Sequence, residues 1–142
     1  MRGRGFTLME LMIALAIISA LVAIIYPSYS QYTLKAKRVE AQSTMQELSQ
    51  KLATYKISNG NFRNVDLATL YGDVIPKSVK DNYTFTLTDM MDVALYKPSA
   101  KISTWKLTAV PVNSGAGTLT LDSQGNKCWY KETGVCISWD GR

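Results

Sequence analysis

The chain has 142 residues and a net charge of +5, a length that suits one modest domain with a short additional segment. It contains no histidine and only two cysteines, so it lacks the commonest general base and metal ligand, and two cysteines alone cannot build a zinc site. Composition therefore excludes histidine-based catalysis and a zinc centre, and we predict neither an enzyme nor a cofactor. The mild positive charge favours anionic partners without identifying one.

The N-terminal stretch predicts a long apolar helix that contains one acidic residue. Residues Phe6 to Ile25 carry no charge except Glu10, and as a helix they span about 30 Å, the thickness of a bilayer's hydrocarbon core. An ionised carboxylate without a partner costs roughly 2.5 to 3.5 kcal/mol at the middle of a membrane-spanning helix, so this acid needs a partner. Two partners fit: the amine that Phe6 would carry if the chain were cut after Gly5, and the same amine on a neighbouring subunit.

Two other interpretations of this stretch stay open from the sequence. Glu10 could complement the helix dipole near an N-terminus, a contribution of a few tenths to about 1 kcal/mol. The segment could also be a secretory signal peptide cut after Ala14-Leu15-Ala16, but a carboxylate inside the apolar region is atypical of one. N-terminal sequencing separates the signal peptide from cleavage after Gly5, because a mature chain beginning at Phe6 contradicts cleavage after Ala16.

The order of these N-terminal features resembles the class III signal of type IV prepilins. A basic leader, Met1 to Gly5, precedes Phe-Thr-Leu-x-Glu, an apolar run and the sequence Tyr-Pro-Ser-Tyr at positions 26–29. The resemblance implies that a membrane aspartic peptidase cleaves after Gly5 and methylates the new N-terminal Phe6. It also implies that Glu10 pairs with the N-terminus of a neighbouring subunit during fibre assembly.

The same resemblance divides the chain and implies its fold. We expect a leader at residues 1–5, a transmembrane and assembly segment at 6–28, and a globular domain at 29–142, with Pro27 bending the long helix. The implied fold is α+β, the type IV pilin fold, in which a long N-terminal helix packs against a small antiparallel β-sheet with a C-terminal disulfide loop. Beyond the N-terminal motif, composition and turn pattern are most similar to the minor pilin PilE group.

After Pro27 the sequence keeps a helical pattern while it becomes polar. Arg38 interrupts a narrow apolar stripe near its start, and Asn59-Gly60 is a suitable helix stop. A helix from Phe6 to about Tyr55 would be roughly 75 Å long, and its second half should pack against the globular domain. The stripe repeats every seven residues with intermediate positions filled, at Leu34, Ala41, Met45, Leu48, Leu52 and Tyr55.

Residues 61–80 form a predicted connecting region with a short helix around Val65 to Tyr71 and a break at Pro76. Phe62 and Tyr71 are interpreted as apolar plugs beneath this loop. Contacts with other subunits are the functional alternative for such a loop in pilins.

Three strands follow, each with alternating apolar and polar residues, which is typical of an antiparallel sheet with one buried face. They lie around residues 83–88, 105–109 and 118–121, and Asp122 to Asn126 has the chemistry of a hairpin turn with Gly125 at positive φ. The turn lacks the alternating acids and closing glutamate of a calcium loop. Asp89 and Asp92 are interpreted as loop charges rather than a catalytic pair.

The C-terminal part combines two cysteines with aromatic and basic residues. In an exported chain Cys128 and Cys136 predict a disulfide around a short loop, the alternative being two free thiols. Lys127, Trp129 and Lys131 form a candidate ligand surface, for DNA bases or for another protein. Aromatic residues beside a disulfide more often cover a sheet edge, and we favour that interpretation.

The sequence therefore predicts a structural subunit of a type IV pilus, of the minor pilin kind. We expect it in the inner membrane before assembly and then in the extracellular filament, with other pilins, the prepilin peptidase and the pilus assembly machinery as partners. Such a filament supports twitching motility, adhesion or DNA uptake. The alternatives are a DNA-binding competence pilin and a pseudopilin of type II secretion, although the latter usually has a calcium site and no C-terminal disulfide.

Overall fold

The structure is a computed structural model that describes residues 6–68, 74–113, 115–131 and 134–139, with the backbone alone at positions 27 and 28. The predicted cleavage residue Gly5, the rest of the leader, and Tyr71 lie outside the described residues. The chain divides into two compact units, Met1–Lys35 and Ala36–Arg142.

Helix α1 comprises Leu8–Asn59, 52 residues, and is assigned without interruption through position 27. The predicted stop is confirmed, because α1 ends at Asn59 and Gly60 has φ of 76°. The Gly60 amide donates to the Lys56 carbonyl at 2.7 Å and so satisfies one of the last free carbonyls of the helix. A bend caused by Pro27 stays a prediction.

The apolar stripe on the second half of α1 is confirmed as a core-facing surface. Its inner positions are almost fully buried, whereas Leu34 and Tyr55, at its two ends, are half-buried. The Tyr55 hydroxyl donates to the carbonyl of Arg63 at 3.0 Å, which ties the end of α1 to the loop that follows. The buried residues of the stripe are Ala41, Met45, Leu48 and Leu52.

Four antiparallel strands form one sheet in the order β1-β2-β3-β4: β1 Tyr83–Thr88, β2 Lys106–Pro111, β3 Thr118–Asp122 and β4 Lys127–Tyr130. The three predicted strands are confirmed, with Trp105 buried just before β2. The register places the apolar residues of neighbouring strands in rows on the buried face. These buried strand residues are Tyr83, Leu87, Leu107, Ala109, Leu119 and Leu121.

The predicted hairpin turn between β3 and β4 is also confirmed. The Gly125 amide donates to the Asp122 carbonyl at 3.0 Å, and Gly125 has φ of 86°. The Asp122 carboxylate accepts from the amides of Gln124 and Asn126 at 2.9 and 3.0 Å. The aspartate thus closes the turn by local side-chain to backbone bonds, as this residue type does in turns.

The connecting region carries a short helix, α2, at Lys77–Lys80, directly after Pro76. Phe62 is 2% exposed, so its predicted role as an apolar plug is confirmed, and its amide donates to the Ile102 carbonyl at 2.9 Å. Of the predicted helix from Val65 to Tyr71, residues 67 and 68 are helical and residues 69–71 lie outside the described part.

The structure corrects the interpretation of Asp89 as an ordinary loop charge, because this residue is buried. Its side chain is 1% exposed. One carboxylate oxygen accepts from the amides of Met91 and Val93 at 2.8 and 2.9 Å, and the other accepts from the amide of Lys101 at 2.9 Å. The buried carboxylate therefore organises the loop between β1 and β2, while Asp92 stays exposed and forms an ion pair with Lys106.

Candidate functional site

Glu10 lies in a capping box at the start of α1. Its Oε2 accepts hydrogen bonds from the amide and the hydroxyl of Thr7 at 2.9 and 2.8 Å, and its own amide donates to the Thr7 hydroxyl at 3.2 Å. This reciprocal pair satisfies donors that the first helical turn leaves free. The sequence Thr-x-x-Glu is the local signal for a capping box, and the prediction from sequence did not include it.

The Glu10 carboxylate keeps one oxygen available. Both bonds from Thr7 go to Oε2, and no other hydrogen bond or ion pair reaches Glu10 within the described residues. A carboxylate has about four acceptor positions on its two oxygens. The capping box is therefore compatible with a further cationic partner at Oε1.

The apolar residues around Glu10 are all exposed in the isolated chain. No residue from Phe6 to Tyr26 is buried, and the exposed fraction of Phe6 is 87%. Among the described residues α1 alone is long and apolar enough to cross a membrane. An apolar surface of this extent marks a site for lipid or for other protein chains.

The predicted disulfide between Cys128 and Cys136 is confirmed, with their Cα atoms 5.1 Å apart. Trp129 on β4 and Ile137 in the segment after the loop exchange two backbone hydrogen bonds of 2.7 and 3.0 Å. The covalent bond and this bridge together hold residues 134–139 along the outer edge of β4.

Trp129 is engaged within the chain rather than free to stack on a ligand. The Arg38 guanidinium lies over its ring, 3.6 Å from Cζ to the ring centroid, and the indole N–H donates to the Ala116 carbonyl at 3.0 Å. Gly117, with φ of 77°, lies so close that a Cβ there would be 2.2 Å from the indole nitrogen. These contacts favour the edge-covering interpretation of this aromatic residue.

Trp139 is tied to α1 and to β4 in a similar way. Its indole N–H donates to the Cys128 carbonyl at 3.1 Å, and its carbonyl accepts from the Gln42 side chain at 3.1 Å. The Lys127 amine lies 5.3 Å from the centroid of the Trp139 ring, while Lys131 is exposed. The structure thus places Lys127 and Lys131 on one edge of the sheet, with Trp129 between them in sequence.

Arg38 contacts Trp129, and Gln42 contacts Trp139. Sequence reasoning missed both contacts. Arg38 carried a signal, because it interrupts an otherwise apolar stripe. Its Nε and the Tyr83 hydroxyl are buried polar atoms without a hydrogen-bond partner among the described residues. Burial raises the pKa of the Tyr83 hydroxyl, and the positive charge of Arg38 opposes that shift.

No group of three or more acidic, cysteine or histidine side chains in the described part of the chain could hold a metal ion. The candidate sites are instead the exposed apolar part of α1 with its capped acid, Glu10, and the sheet edge beside the disulfide that carries Lys127 and Lys131.

The comparisons with known proteins agree with this geometry. A family model described as the prokaryotic N-terminal methylation motif matches residues 1–26, and one described as "Type IV minor pilin ComP, DNA uptake sequence receptor" matches residues 27–128. The type IV major pilin protein PilE of Neisseria gonorrhoeae is 37% identical over an alignment of 145 positions, and the alignment covers 96% of this chain and 72% of PilE. The chain is a type IV pilin, and within that class it belongs to the ComP minor pilin family.

Other relatives match over shorter stretches. The type IV major pilin protein PilE1 of Neisseria gonorrhoeae is 33% identical over 82 residues, 55% of this chain and 50% of PilE1. The type II secretion system core protein G of Pectobacterium carotovorum subsp. carotovorum is 32% identical over 65 residues, 46% of this chain and 42% of that protein. The chain thus aligns with half or less of these two relatives. No solved structure matches it significantly.

These findings confirm the predicted pilin family and its α+β fold. The family is a structural one. Its apolar N-terminal helix is the element suited to anchoring in a membrane before assembly.

Proposed function

We propose that this chain is a minor pilin held in the inner membrane by residues 6–28 until it is cleaved after Gly5, N-methylated at Phe6 and added to a filament. One observation carries the proposal: the apolar residues from Phe6 to Tyr26 are all exposed, and a single carboxylate lies among them. Lipid covers this surface before assembly and other pilins cover it afterwards. Head-to-tail contacts that repeat without closing produce a filament.

Glu10 would set the register between neighbouring subunits. Cleavage after Gly5 would give Phe6 a free amine, and the unbonded Oε1 of Glu10 can accept that amine from an adjacent subunit while Oε2 keeps its bonds to Thr7. A carboxylate removed from water destabilises any register in which its cationic partner is absent. The prepilin peptidase and the pilus assembly machinery are the proposed partners for these steps.

Replacing Glu10 tests this role. We expect Glu10→Ala and Glu10→Gln to leave the chain in the membrane fraction at the normal level and to reduce its amount in sheared pili strongly. Glu47→Gln is the matched control, because it removes an exposed acid from the second half of the same helix. Normal incorporation of Glu10→Ala into pili would disprove the register function.

A second function is favoured by the match of residues 27–128 to a family described as a DNA uptake sequence receptor. We infer that the globular domain binds DNA, which would make the filament competent for DNA uptake rather than only for motility or adhesion. The exposed Lys131 and the edge residue Lys127 supply positive charge beside the disulfide loop. Lysines of this kind bind phosphates and make affinity fall with salt.

The DNA-binding function is tested with the full chain in neutral detergent micelles. We expect binding to a mixed-sequence duplex to weaken as salt rises, and Lys127→Gln with Lys131→Gln to weaken it further. Lys77→Gln is the control, because it removes one exposed cation from α2. Binding that is absent at low salt, or that responds equally to both changes, would contradict this function while leaving the pilus subunit role intact.

A further inference from the structure

Three tyrosines follow the apolar part of α1 at intervals of three residues. Tyr26, Tyr29 and Tyr32 are 76%, 66% and 71% exposed, and they lie in the compact unit that ends at Lys35. A step of three residues advances about 4.5 Å along a helix with a net rotation of about 60°, so the three share one side of α1 over about 9 Å. Their exposure leaves three aromatic rings without a cover in the isolated chain.

The tyrosine hydroxyls differ from other hydroxyls of the same helix. Those of Ser19 and Thr33 donate to the carbonyls of Leu15 and Ser30, both at 2.8 Å. None of the three tyrosine hydroxyls makes a hydrogen bond within the part of the chain that the structure describes. Each tyrosine therefore combines an apolar ring, which gains from leaving water, with a hydroxyl that still needs an acceptor.

The position of these tyrosines along α1 matches the interface of a bilayer. Residues 6–25 as a helix fill a hydrocarbon core of about 30 Å, and the headgroup layer adds about 5 to 8 Å on each side. Tyr26 then lies at the edge of the hydrocarbon, and Tyr32 lies about 9 Å further out. Because helical side chains lean toward the N-terminus, all three rings reach back into the headgroup layer, where tyrosine is enriched in membrane proteins.

The charges that follow the tyrosines suit the same layer. Between residues 11 and 39 the sequence has no acid, and its charged residues there are Lys35, Lys37 and Arg38. Lys35 is exposed and lies three residues after Tyr32. A lysine at this place extends its hydrocarbon stem along the helix and keeps its ammonium among lipid phosphates. The charge pattern therefore favours a surface of anionic phospholipid headgroups.

We propose that Tyr26, Tyr29 and Tyr32 form an aromatic band that lies in the phospholipid headgroup layer and sets the depth of the chain in the membrane before assembly. The rings pack on the glycerol and upper acyl groups, and the hydroxyls donate to ester and phosphate oxygens. The inference rests on the membrane residence proposed above. It extends the lipid-contacting part of α1 from residue 28 to Lys35.

The test measures how fast one introduced cysteine reacts with a membrane-impermeant maleimide. The full chain is reconstituted in vesicles of phosphatidylcholine and phosphatidylglycerol. Both native cysteines are in the disulfide, so Gln31→Cys, at an exposed position between Tyr29 and Tyr32, provides a single reactive thiol. Chains that face the vesicle lumen do not react and leave the rate constant unchanged.

The substitutions are made in the Gln31→Cys chain. Replacing all three tyrosines by leucine should lower the rate about five- to tenfold, because leucine prefers hydrocarbon and the helix moves deeper. Replacing all three by tryptophan should keep the rate within about twofold, because tryptophan has the same preference for the interface.

Two controls define the comparison. Tyr96→Leu removes a tyrosine of similar exposure, 56%, from the loop between β1 and β2 and should leave the rate unchanged. Leu15→Cys, made in place of Gln31→Cys, puts the thiol inside the apolar segment and should not react. Thermal melting followed by circular dichroism checks that the globular unit of each variant is folded.

The outcomes separate the aromatic band from the membrane residence on which it rests. If the leucine variant reacts at the rate of the unsubstituted chain while Leu15→Cys stays unreactive, the band is disproved and membrane residence stands. A tryptophan variant that slows as much as the leucine variant also disproves the band. If the leucine variant keeps its rate but is lost from sheared pili, the tyrosines contact other pilins instead of lipid. If Leu15→Cys reacts as fast as Gln31→Cys, both proposals fail.

Discussion

The two halves of helix α1 have the same backbone conformation and opposite relations to the rest of the chain. From Phe6 to Tyr26 no residue is buried, whereas Ala41, Met45 and Leu48 are 0% exposed. The first half is apolar on all sides and the second half is apolar along one stripe. A helix that is apolar all round has to be covered by lipid or by other chains, and a helix with one apolar stripe needs only a single packed surface.

The difference also shows where the stability of the chain resides. The second half of α1 lies in the unit that contains the sheet and the disulfide, so its packing is complete within one chain. The first half obtains no burial from its own chain, and its stabilisation depends on the surroundings. Equivalent substitutions in the two halves should therefore have unequal effects.

The largest expected effect comes from truncating the buried stripe. Leu48→Ala should destabilise the globular unit by about 2 to 5 kcal/mol, because it leaves a cavity in the core. Leu15→Ala, at a position that is 55% exposed, should change the unfolding free energy by less than about 0.5 kcal/mol. Denaturant unfolding in micelles, followed by tryptophan fluorescence, measures both. Equal losses would contradict the division into two units.

Removal of the disulfide should have the next largest effect. Cys128→Ser combined with Cys136→Ser should lower the unfolding free energy by about 2 to 3 kcal/mol, because the unfolded chain gains freedom when the loop opens. Membrane insertion of residues 6–28 should be unaffected. A double variant with wild-type stability in the same unfolding measurement would show that the bridge to Ile137 alone holds the C-terminal segment.

Asp89 should give the second unit an acid-sensitive stability. Hydrogen bonds from the amides of Lys101 and Val93 lower the pKa of its carboxyl, against the opposing effect of burial. The carboxylate's contribution is complete above the unfolded pKa of about 3.9 and is lost as pH falls through the lower folded value. Asp89→Asn should therefore flatten the stability loss below about pH 4 and lower the melting temperature at neutral pH by about 5 to 10 °C.

The matched control for Asp89 is Asp92→Asn, which alters an exposed ion pair with Lys106 in the same loop. Surface pairs of this kind contribute little, about 1 kcal/mol at most. Melting curves of both variants across the acidic range provide the comparison. Identical curves for the two would show that the bonds to Asp89 do not stabilise the folded loop.

The smallest effect concerns the start of the helix. Thr7→Ala removes the hydroxyl that donates to Glu10 Oε2 and accepts from the Glu10 amide, while the bond from the amide of residue 7 remains. It should weaken the first turn by about 0.5 to 2 kcal/mol, while the globular unit keeps its unfolding midpoint. Hydrogen exchange at the first turn detects the change. Thr54→Ala, whose hydroxyl bonds only to a carbonyl of its own helix, serves as the control. If Thr7→Ala shifts the unfolding midpoint of the globular unit and Thr54→Ala does not, the stabilities of the two halves of α1 are coupled.

Local patterns made much of this fold predictable. The apolar stripe of α1, the alternating strands, the turn at Asp122 and the cysteine pair in an exported chain each depend on residues close in sequence or on a fixed period. The capping box of Thr7 and Glu10 was equally local, but we considered the acid only as a charge, facing an amine or the helix dipole, and did not predict its bonds to Thr7.

Contacts between distant segments could not be predicted. Asp89 is buried because the Lys101 backbone returns to it, and a loop path of this kind has no signature in side-chain periodicity. The Arg38 contact with Trp129 joins the helix to the last strand of the sheet, so it depends on the whole packing arrangement. The sequence showed that Arg38 is a charged residue within an apolar stripe, and the fold showed that its partner is Trp129.

The bridge between Trp129 and Ile137 covers part of a strand edge that would otherwise be open. β4 is the last strand of the sheet, and at this position its backbone groups are already bonded to the chain's own C-terminal segment. An open strand edge can recruit strands from other molecules and start aggregation. Closing the edge with the chain's own C-terminal segment, secured by a disulfide, leaves lateral strand addition unavailable there.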